Sequence, residues 1–189
     1  MLYRVMTWFM APLLRGRPPQ QVITETYPTL PVVLADSTAT VDLSIIAPAF
    51  NEESRLPRML EETFDYLQRR KSKNDLFSFE VIVVDDGSTD RTTLVARELA
   101  KIYGESNLQV LSLKKNVGKG GAVQRGMLRA RGKLLLMADS DAATRIDDLD
   151  FLEEKMKEIE RNGCGIVVGS RAHLEDRAVA SVCFVLIGF

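Results

Sequence analysis

The chain has 189 residues, 46% hydrophobic and 27% charged, with a formal net charge of −1. That length holds one domain with a real core, and the near-neutral balance argues against a broad nucleic-acid footprint, so no nucleic-acid partner is expected. Two cysteines without metal-ligand spacing, Cys164 and Cys183, and a single histidine, His173, point away from a zinc site or a histidine-based triad and make a reducing compartment the expectation.

Met1–Leu14 is apolar and aromatic but is broken by Arg4 and Pro12. It is short of the ~20 apolar residues of a bilayer span and lacks a small-residue cleavage site. It reads as a loosely packed extension, with an interfacial membrane anchor as the alternative. Gly16–Asp42 carries Pro18, Pro19, Pro28 and Pro31 with no period and reads as a linker. Residues 1–41 are therefore expected to lie outside the folded domain.

From Leu43 the pattern is regular. Leu43–Ala49 is an apolar run of strand length, and Leu56, Met59, Leu60, Thr63, Phe64 and Leu67 mark one face of a helix whose first turn holds Pro57. Phe79–Val84 predicts a second strand. Leu94, Val95, Leu99 and Ile102 predict a second helix, capped by Ser88 or Asp90. Leu108–Leu113 predicts a third strand, followed by a glycine turn and a helix on Val123, Met127 and Ala130. Lys133–Ala138 predicts a fourth strand, Leu149, Leu152, Met156 and Ile159 a fourth helix, and Gly165–Val168 a fifth strand. Apolar strands alternating with helices give an α/β fold, a mainly parallel twisted sheet with helices on both faces. Residues 178–189 form an apolar tail.

Right-handed crossovers bring the carboxyl ends of such strands to one edge, where ligands bind. That edge collects Pro48, Phe50, Asn51, Glu52 and Glu53; Asp85, Asp86, Gly87 and Ser88; Asn116, Gly118, Lys119, Gly120 and Gly121; Asp139 and Asp141; and Ser170, Arg171 and His173. Each has a plain reading. Asn51 and Ser88 fit helix caps, Asp85-Asp86-Gly87 fits a turn, Gly118–Gly121 fits a close packing corner, and Arg171 fits a surface ion pair. Taken together they describe a pocket for a metal and a diphosphate. Asp139 and Asp141 are the sharpest element, because residues i and i+2 at a strand end face the same way. Two hard oxygen ligands suit Mg²⁺ or Mn²⁺. No G-x-x-x-x-G-K-[ST] run is present, which excludes a P-loop. Gly118-x-Gly120 lacks the third glycine of a dinucleotide fingerprint, Val123 standing there. The acid pair Asp85-Asp86 follows the second strand, where a receiver domain needs it after the first.

Three motifs, Ala47-Pro-Ala-Phe-Asn-Glu-Glu, Val83-Val-Asp-Asp-Gly-Ser-Thr-Asp and Asp139-Ser-Asp, together resemble the family 2 glycosyltransferases of the glycosyltransferase-A fold. Asn116-Val-Gly-Lys-Gly-Gly-Ala, Leu136-Met-Ala-Asp-Ser-Asp-Ala-Ala-Thr and Gly169-Ser-Arg-Ala-His-Leu-Glu are similar to the dolichyl-phosphate β-glucosyltransferases within it. The resemblance runs from about Asp42 to Ala180 and makes 42–177 a nucleotide-sugar-binding domain. It implies that Pro48, Phe50 and Glu52 line the nucleoside, that Asp86 faces the uracil edge, and that Lys119 approaches the diphosphate or ribose. Asp139 would hold the nucleotide or sugar, directly or through the metal. Asp141 would coordinate the ion, and Arg171 would neutralise charge on the departing UDP or the incoming phosphate. Asp139, Asp141 and Arg171 are the implied catalytic set. The implied reaction moves glucose from UDP-glucose to dolichyl phosphate with inversion, at the endoplasmic reticulum membrane with the catalytic domain facing the cytosol. A transferase of the dolichyl-phosphate mannose synthase type, and a non-catalytic nucleotide-sugar-binding remnant, are the competing readings. Family members run on past the Gly-Ser-Arg motif, so the donor half is expected here and the acceptor half is not.

Overall fold

The computed structural model describes residues 39–141, 145–159, 165–170 and 182–188. The expectations for 1–38, and the side chains of Arg171 and His173, lie outside them. The elements run β1 (Val41–Ala49), α1 (Leu56–Lys73), β2 (Phe79–Asp85), α2 (Thr92–Tyr103), β3 (Leu108–Ser112), α3 (Lys119–Met127), β4 (Gly132–Ala138), α4 (Leu149–Ile159), β5 (Gly165–Ser170) and β6 (Val182–Gly188). They form one six-stranded sheet in the order β3-β2-β1-β4-β6-β5.

β1 is the central strand, pairing in parallel with β2 on one side and β4 on the other. Its side chains alternate between two cores, as period-two geometry requires. Leu43, Ile45, Ala47 and Ala49 pack with α1, α2 and α4. Ile46 packs with α3 through Ala122, Val123 and Met127. Both faces are therefore covered, which is why the inner strands read as unbroken apolar runs. α3 lies directly on the sheet: a Cβ on Gly126 would sit 2.5 Å from Ile46 Cγ2 and 2.9 Å from Val84 Cγ2, so no larger residue fits there.

Several expectations change. The apolar run 178–189, expected as a tail outside the domain, supplies β6, which lies between β4 and β5 and is antiparallel to both. The sheet is thus mainly parallel with one reversed strand. On α2 the expected face holds in part, with Leu99 packed against the core. Leu94 and Ile102 are exposed, and Thr92, Ala96 and Ala100 are the buried residues. Small residues there let α2 come close to the sheet. Ile159 at the end of α4 is also exposed, whereas Leu149, Leu152 and Met156 are buried. The α1 face is as expected, with Leu56, Met59, Leu60, Thr63, Phe64 and Leu67 all buried.

A polar seam holds α4, the helix that follows the Asp139–Asp141 segment, against α1. Tyr66 donates to Asp150 at 2.6 Å. Arg70 makes two hydrogen bonds to Glu153, at 2.7 and 2.9 Å, and its guanidinium lies 4.4 Å from the Phe77 ring centroid. Such bidentate arginine–carboxylate pairs are directional as well as strong.

Candidate active site

A cleft of about 330 Å³ opens at the carboxyl edge of the sheet, lined by residues of the β1, β2, β3 and β4 loops. Pro48, Phe50, Glu52, Asp86, Lys119, Asp139 and Asp141 all line it. Seven of the eight residues proposed from sequence are thereby brought together; the eighth, Arg171, lies outside the described residues. Four carboxylates and one ammonium face this space. An anionic ligand entering it needs a cation alongside, which is the charge balance expected of a metal–diphosphate site.

Asp85 and Asp86 differ despite adjacency. Asp85 is buried, and its two oxygens accept from the Ser88 amide at 3.0 Å and from the Thr93 hydroxyl. It fastens the start of α2 and is fully used. Asp86 is equally buried, but its Oδ1 accepts from the Val117 amide at 2.8 Å and its other oxygen is available in the cleft. That bond ties the β2 end to the loop that begins α3. Gly87 permits the approach: at φ +71° its absent Cβ would lie 2.8 Å from the Asn116 amide nitrogen. Gly118 also has positive φ, +81°, with open space around its Cβ position, and Asn116 accepts from its amide at 2.9 Å. The glycine turn is thus required by backbone conformation at Gly118. Close helix–sheet packing is at Gly126, not at Gly118 or Gly120.

Lys119 opens α3 and reaches across the cleft to Asp139, Nζ to Oδ1 2.5 Å. Asp139 and Asp141 flank Ser140, whose buried hydroxyl donates to the Pro48 carbonyl at 2.8 Å. Ser140 was not anticipated. β4 ends at Ala138, so the Asp-x-Asp is a turn rather than a continuing strand, and Ser140 lines the cleft with both acids. Its only signal is a small hydroxyl placed to tie the end of β4 to β1. Among the described residues no three His, Cys, Asp or Glu side chains gather into a full metal-ligand set. A site here would draw its remaining ligands from the bound diphosphate or water, as hard divalent ions often do.

Glu52 is the sharpest observation. Its Oε1 accepts from Arg55 at 2.6 Å, its side chain is 12% exposed, and its Oε2 is buried with no hydrogen-bond partner. A buried carboxylate oxygen left unpaired costs on the order of 1–3 kcal/mol. In a cleft wall it is satisfied when a donor group arrives.

Neither Asn51 nor Ser88 caps a helix. The N-cap of α1 is Arg55 and that of α2 is Arg91, neither with a side-chain cap. Asp90 sits one residue further out, accepting from the Thr92 amide and hydroxyl at 2.9 and 2.5 Å. Burial alone would push the Asp90 carboxyl up, but these bonds and one from the Glu53 amide leave it below its ordinary value. Asn51 and Ser88 instead join the β1 and β2 loops. The Asn51 amide donates to Ser88 Oγ at 3.0 Å, and Asn51 Oδ1 accepts from the Thr89 amide at 2.9 Å.

Residues 44–178 match the glycosyl transferase family 2 model. The chain belongs to this family. Among curated relatives it is 45% identical over 168 residues to a dolichyl-phosphate β-glucosyltransferase of Drosophila melanogaster, covering 88% of this chain and 50% of that one. The Homo sapiens protein of the same name is 44% identical over 143 residues, covering 75% and 44%. That of Saccharomyces cerevisiae is 33% identical over 142 residues, covering 70% and 41%. The chain spans about half the length, or less, of these relatives. Among solved structures, TarS of S. aureus aligns with a TM-score of 0.50 at 27% identity, over 67% of this chain and 34% of that one. The mannosyltransferase PcManGT from Pyrobaculum calidifontis, solved with GDP-Man and Mn²⁺, aligns with a TM-score of 0.52 at 21% identity, over 86% and 41%. These neighbours agree with a glycosyltransferase-A-like sheet.

Proposed function

We propose that the cleft binds UDP-glucose and that the protein transfers glucose to dolichyl phosphate with inversion, giving dolichyl β-D-glucosyl phosphate for N-glycan precursor assembly. The observation that carries this is the 45% identity to a dolichyl-phosphate β-glucosyltransferase, over a segment that includes the four loops of the cleft. Pro48 and the half-exposed Phe50 offer a surface for the base. The available oxygen of Asp86 accepts from the N–H of the uracil edge, and Glu52 Oε2 accepts from ribose hydroxyls. Lys119 meets the diphosphate, exchanging its bond to Asp139 for a phosphate oxygen.

Asp141, with Asp139, would hold Mg²⁺ or Mn²⁺. The two-carboxylate donor set and the acidic cleft fit such an ion, which when bound neutralises the diphosphate as it leaves. Arg171 adds positive charge on the departing UDP or the incoming phosphate. An acceptor phosphate oxygen attacks the anomeric carbon as its bond to UDP breaks. The second pKa of a phosphate monoester is about 6, so the acceptor is already ionised at neutral pH and no general base is required. A lipid acceptor places the work at the endoplasmic reticulum membrane surface, with the catalytic domain on the cytosolic side. Among the described residues no helix is long and apolar enough to cross a membrane.

The test is transfer of radiolabelled glucose from UDP-glucose to dolichyl phosphate in detergent, beside GDP-mannose as donor. Labelled lipid from UDP-glucose is expected. Label from GDP-mannose in its place would overturn the donor assignment.

A further inference from the structure

Phe50 and Glu52 line the cleft, and the residue between them does not. Asn51 has φ +57°, the one positive φ at a non-glycine residue among those described. Left-handed backbone is uncommon outside glycine and persists where surrounding contacts enforce it. The contacts here are unusual in number. The amides of three consecutive residues are taken by three side chains of the next loop: Asn51 by Ser88 Oγ at 3.0 Å, Glu52 by Thr92 Oγ1 at 2.7 Å, and Glu53 by Asp90 Oδ2 at 3.3 Å. Bonds also run the other way. Asn51 Oδ1 accepts from the Thr89 amide and hydroxyl, at 2.9 and 3.3 Å, and Glu53 Oε2 accepts from the Arg91 amide at 2.9 Å. Below them the Asp86 amide donates to the Ala49 carbonyl at 2.8 Å. The two loops are therefore clasped from Ala49 to Glu53 against Asp86 to Thr92.

We infer that Asn51 is a positioning residue for nucleoside recognition, its left-handed backbone and its bonds to Ser88 and Thr89 holding Phe50 and Glu52 on one preorganised wall with Asp86. This rests on the reading of the cleft as a UDP site. Asn51 touches no ligand in this arrangement. It acts through Glu52, whose unpaired oxygen must be aimed at the ribose before a donor hydroxyl can meet it. Fixing such a group before binding removes an ordering cost that the ligand would otherwise meet. The bonds of Asn51 to Ser88 and Thr89 do not reach Lys119 or Asp139, which pair with each other at the diphosphate end of the cleft.

The experiment is titration of the full chain with UDP, and separately with inorganic pyrophosphate, both in Mn²⁺. Asn51→Asp keeps a side-chain acceptor, Asn51→Gly keeps the backbone conformation without the acceptor, and Asn51→Ala loses both. Losing one or two hydrogen bonds' worth of positioning predicts that Asn51→Ala binds UDP roughly tenfold more weakly. Asn51→Gly should fall between, Asn51→Asp should approach the parent, and pyrophosphate affinity should hold within twofold throughout. Ser88→Ala, which removes only the acceptor of the Asn51 amide, carries the same test if Asn51→Ala does not fold. UDP affinity unchanged in folded variants, or equal losses for UDP and pyrophosphate, would overturn the inference. Failure of the parent chain itself to bind UDP would instead refute the reading of the cleft.

Discussion

The two edges of the sheet each carry buried carboxylates, and they are treated in opposite ways. At the amino edge Glu80 is completely buried and every oxygen is occupied. Its Oε1 accepts from the Ser44 hydroxyl at 2.6 Å and the Arg131 amide at 2.7 Å, and its Oε2 accepts from Gln109 at 3.0 Å and the Arg131 guanidinium at 2.8–2.9 Å. These bonds join β1, β2, β3 and the start of β4. At the carboxyl edge Glu52 keeps one oxygen unpaired, Asp86 one available, and Asp139 is met by a half-exposed lysine. A satisfied carboxylate is architecture, and an unsatisfied one in a cleft marks where a ligand completes the bonding. The same contrast divides neighbours within one motif, Asp85 serving the fold and Asp86 the cleft.

Breaking the amino edge should give the largest effect on stability. Glu80→Ala leaves Ser44, Gln109 and the Arg131 amide without their acceptor and opens a cavity, which predicts a loss on the order of 3 kcal/mol in chemical denaturation. UDP affinity of the folded variant should stay within twofold. A stable variant with damaged UDP binding would reverse the assignment of the two edges.

Breaking the carboxyl edge should do the opposite. Asp141→Ala is expected to lower UDP-glucose affinity in Mn²⁺ about a hundredfold, the scale of an interaction with a charged group. Its unfolding free energy should move by less than that of Glu80→Ala, since Asp141 is only partly buried where Glu80 is completely buried. Calorimetry and denaturation on one preparation read both numbers.

Base choice sharpens the comparison further. UDP should outcompete ADP by about tenfold to a hundredfold, since the adenine N1 accepts rather than donates and leaves the second Asp86 oxygen unpaired. It should outcompete GDP because the larger guanine must shift to bring its N–H groups to that oxygen. Asp86→Asn retains an acceptor for Val117 but presents a donor to the cleft, so this preference should shrink. GDP binding as well as UDP to the parent would remove the uridine assignment.

The regular part of this molecule was legible for a physical reason. Strands covered on both faces are apolar without interruption, and the strand ends follow from where that pattern stops, so the cleft-lining loops could be gathered on one edge from sequence. β6 was not legible, because an apolar run carries no mark of direction and nothing local says that Val182–Gly188 inserts antiparallel between β4 and β5. Nor were the roles of Asn51 and Ser88. Their bonds join residues 37 and 38 apart in sequence, and a capping residue and a loop staple have the same composition. The α2 face is legible only at Leu99, because Ala96 and Ala100 bury without announcing themselves while Leu94 and Ile102 stand in solvent.

The smallest predicted effect tests the amino edge by pH. The Lys133 ammonium bonded to Asp42, aided by the Ser78 amide and hydroxyl, holds the Asp42 carboxyl below its ordinary value against a smaller opposing effect of burial. A carboxyl lowered in the folded state stabilises above its unfolded pKa of about 3.9, and that contribution fades as pH falls through the folded value. The stability gap between the parent and Asp42→Asn should be a surface-pair quantity of about 0.2–1 kcal/mol at pH 7 and should close on acidification. A gap that widens below pH ~4 would contradict the sign.

The most direct test of the central claim is calorimetric titration of UDP-glucose into the intact chain, with Mn²⁺ and again with excess chelator. One saturable site is expected in the presence of the metal, with affinity largely lost to the chelator. Equal affinity in both conditions would remove the metal from the account, and absence of binding in both would show that the cleft at the carboxyl edge is not a nucleotide-sugar site.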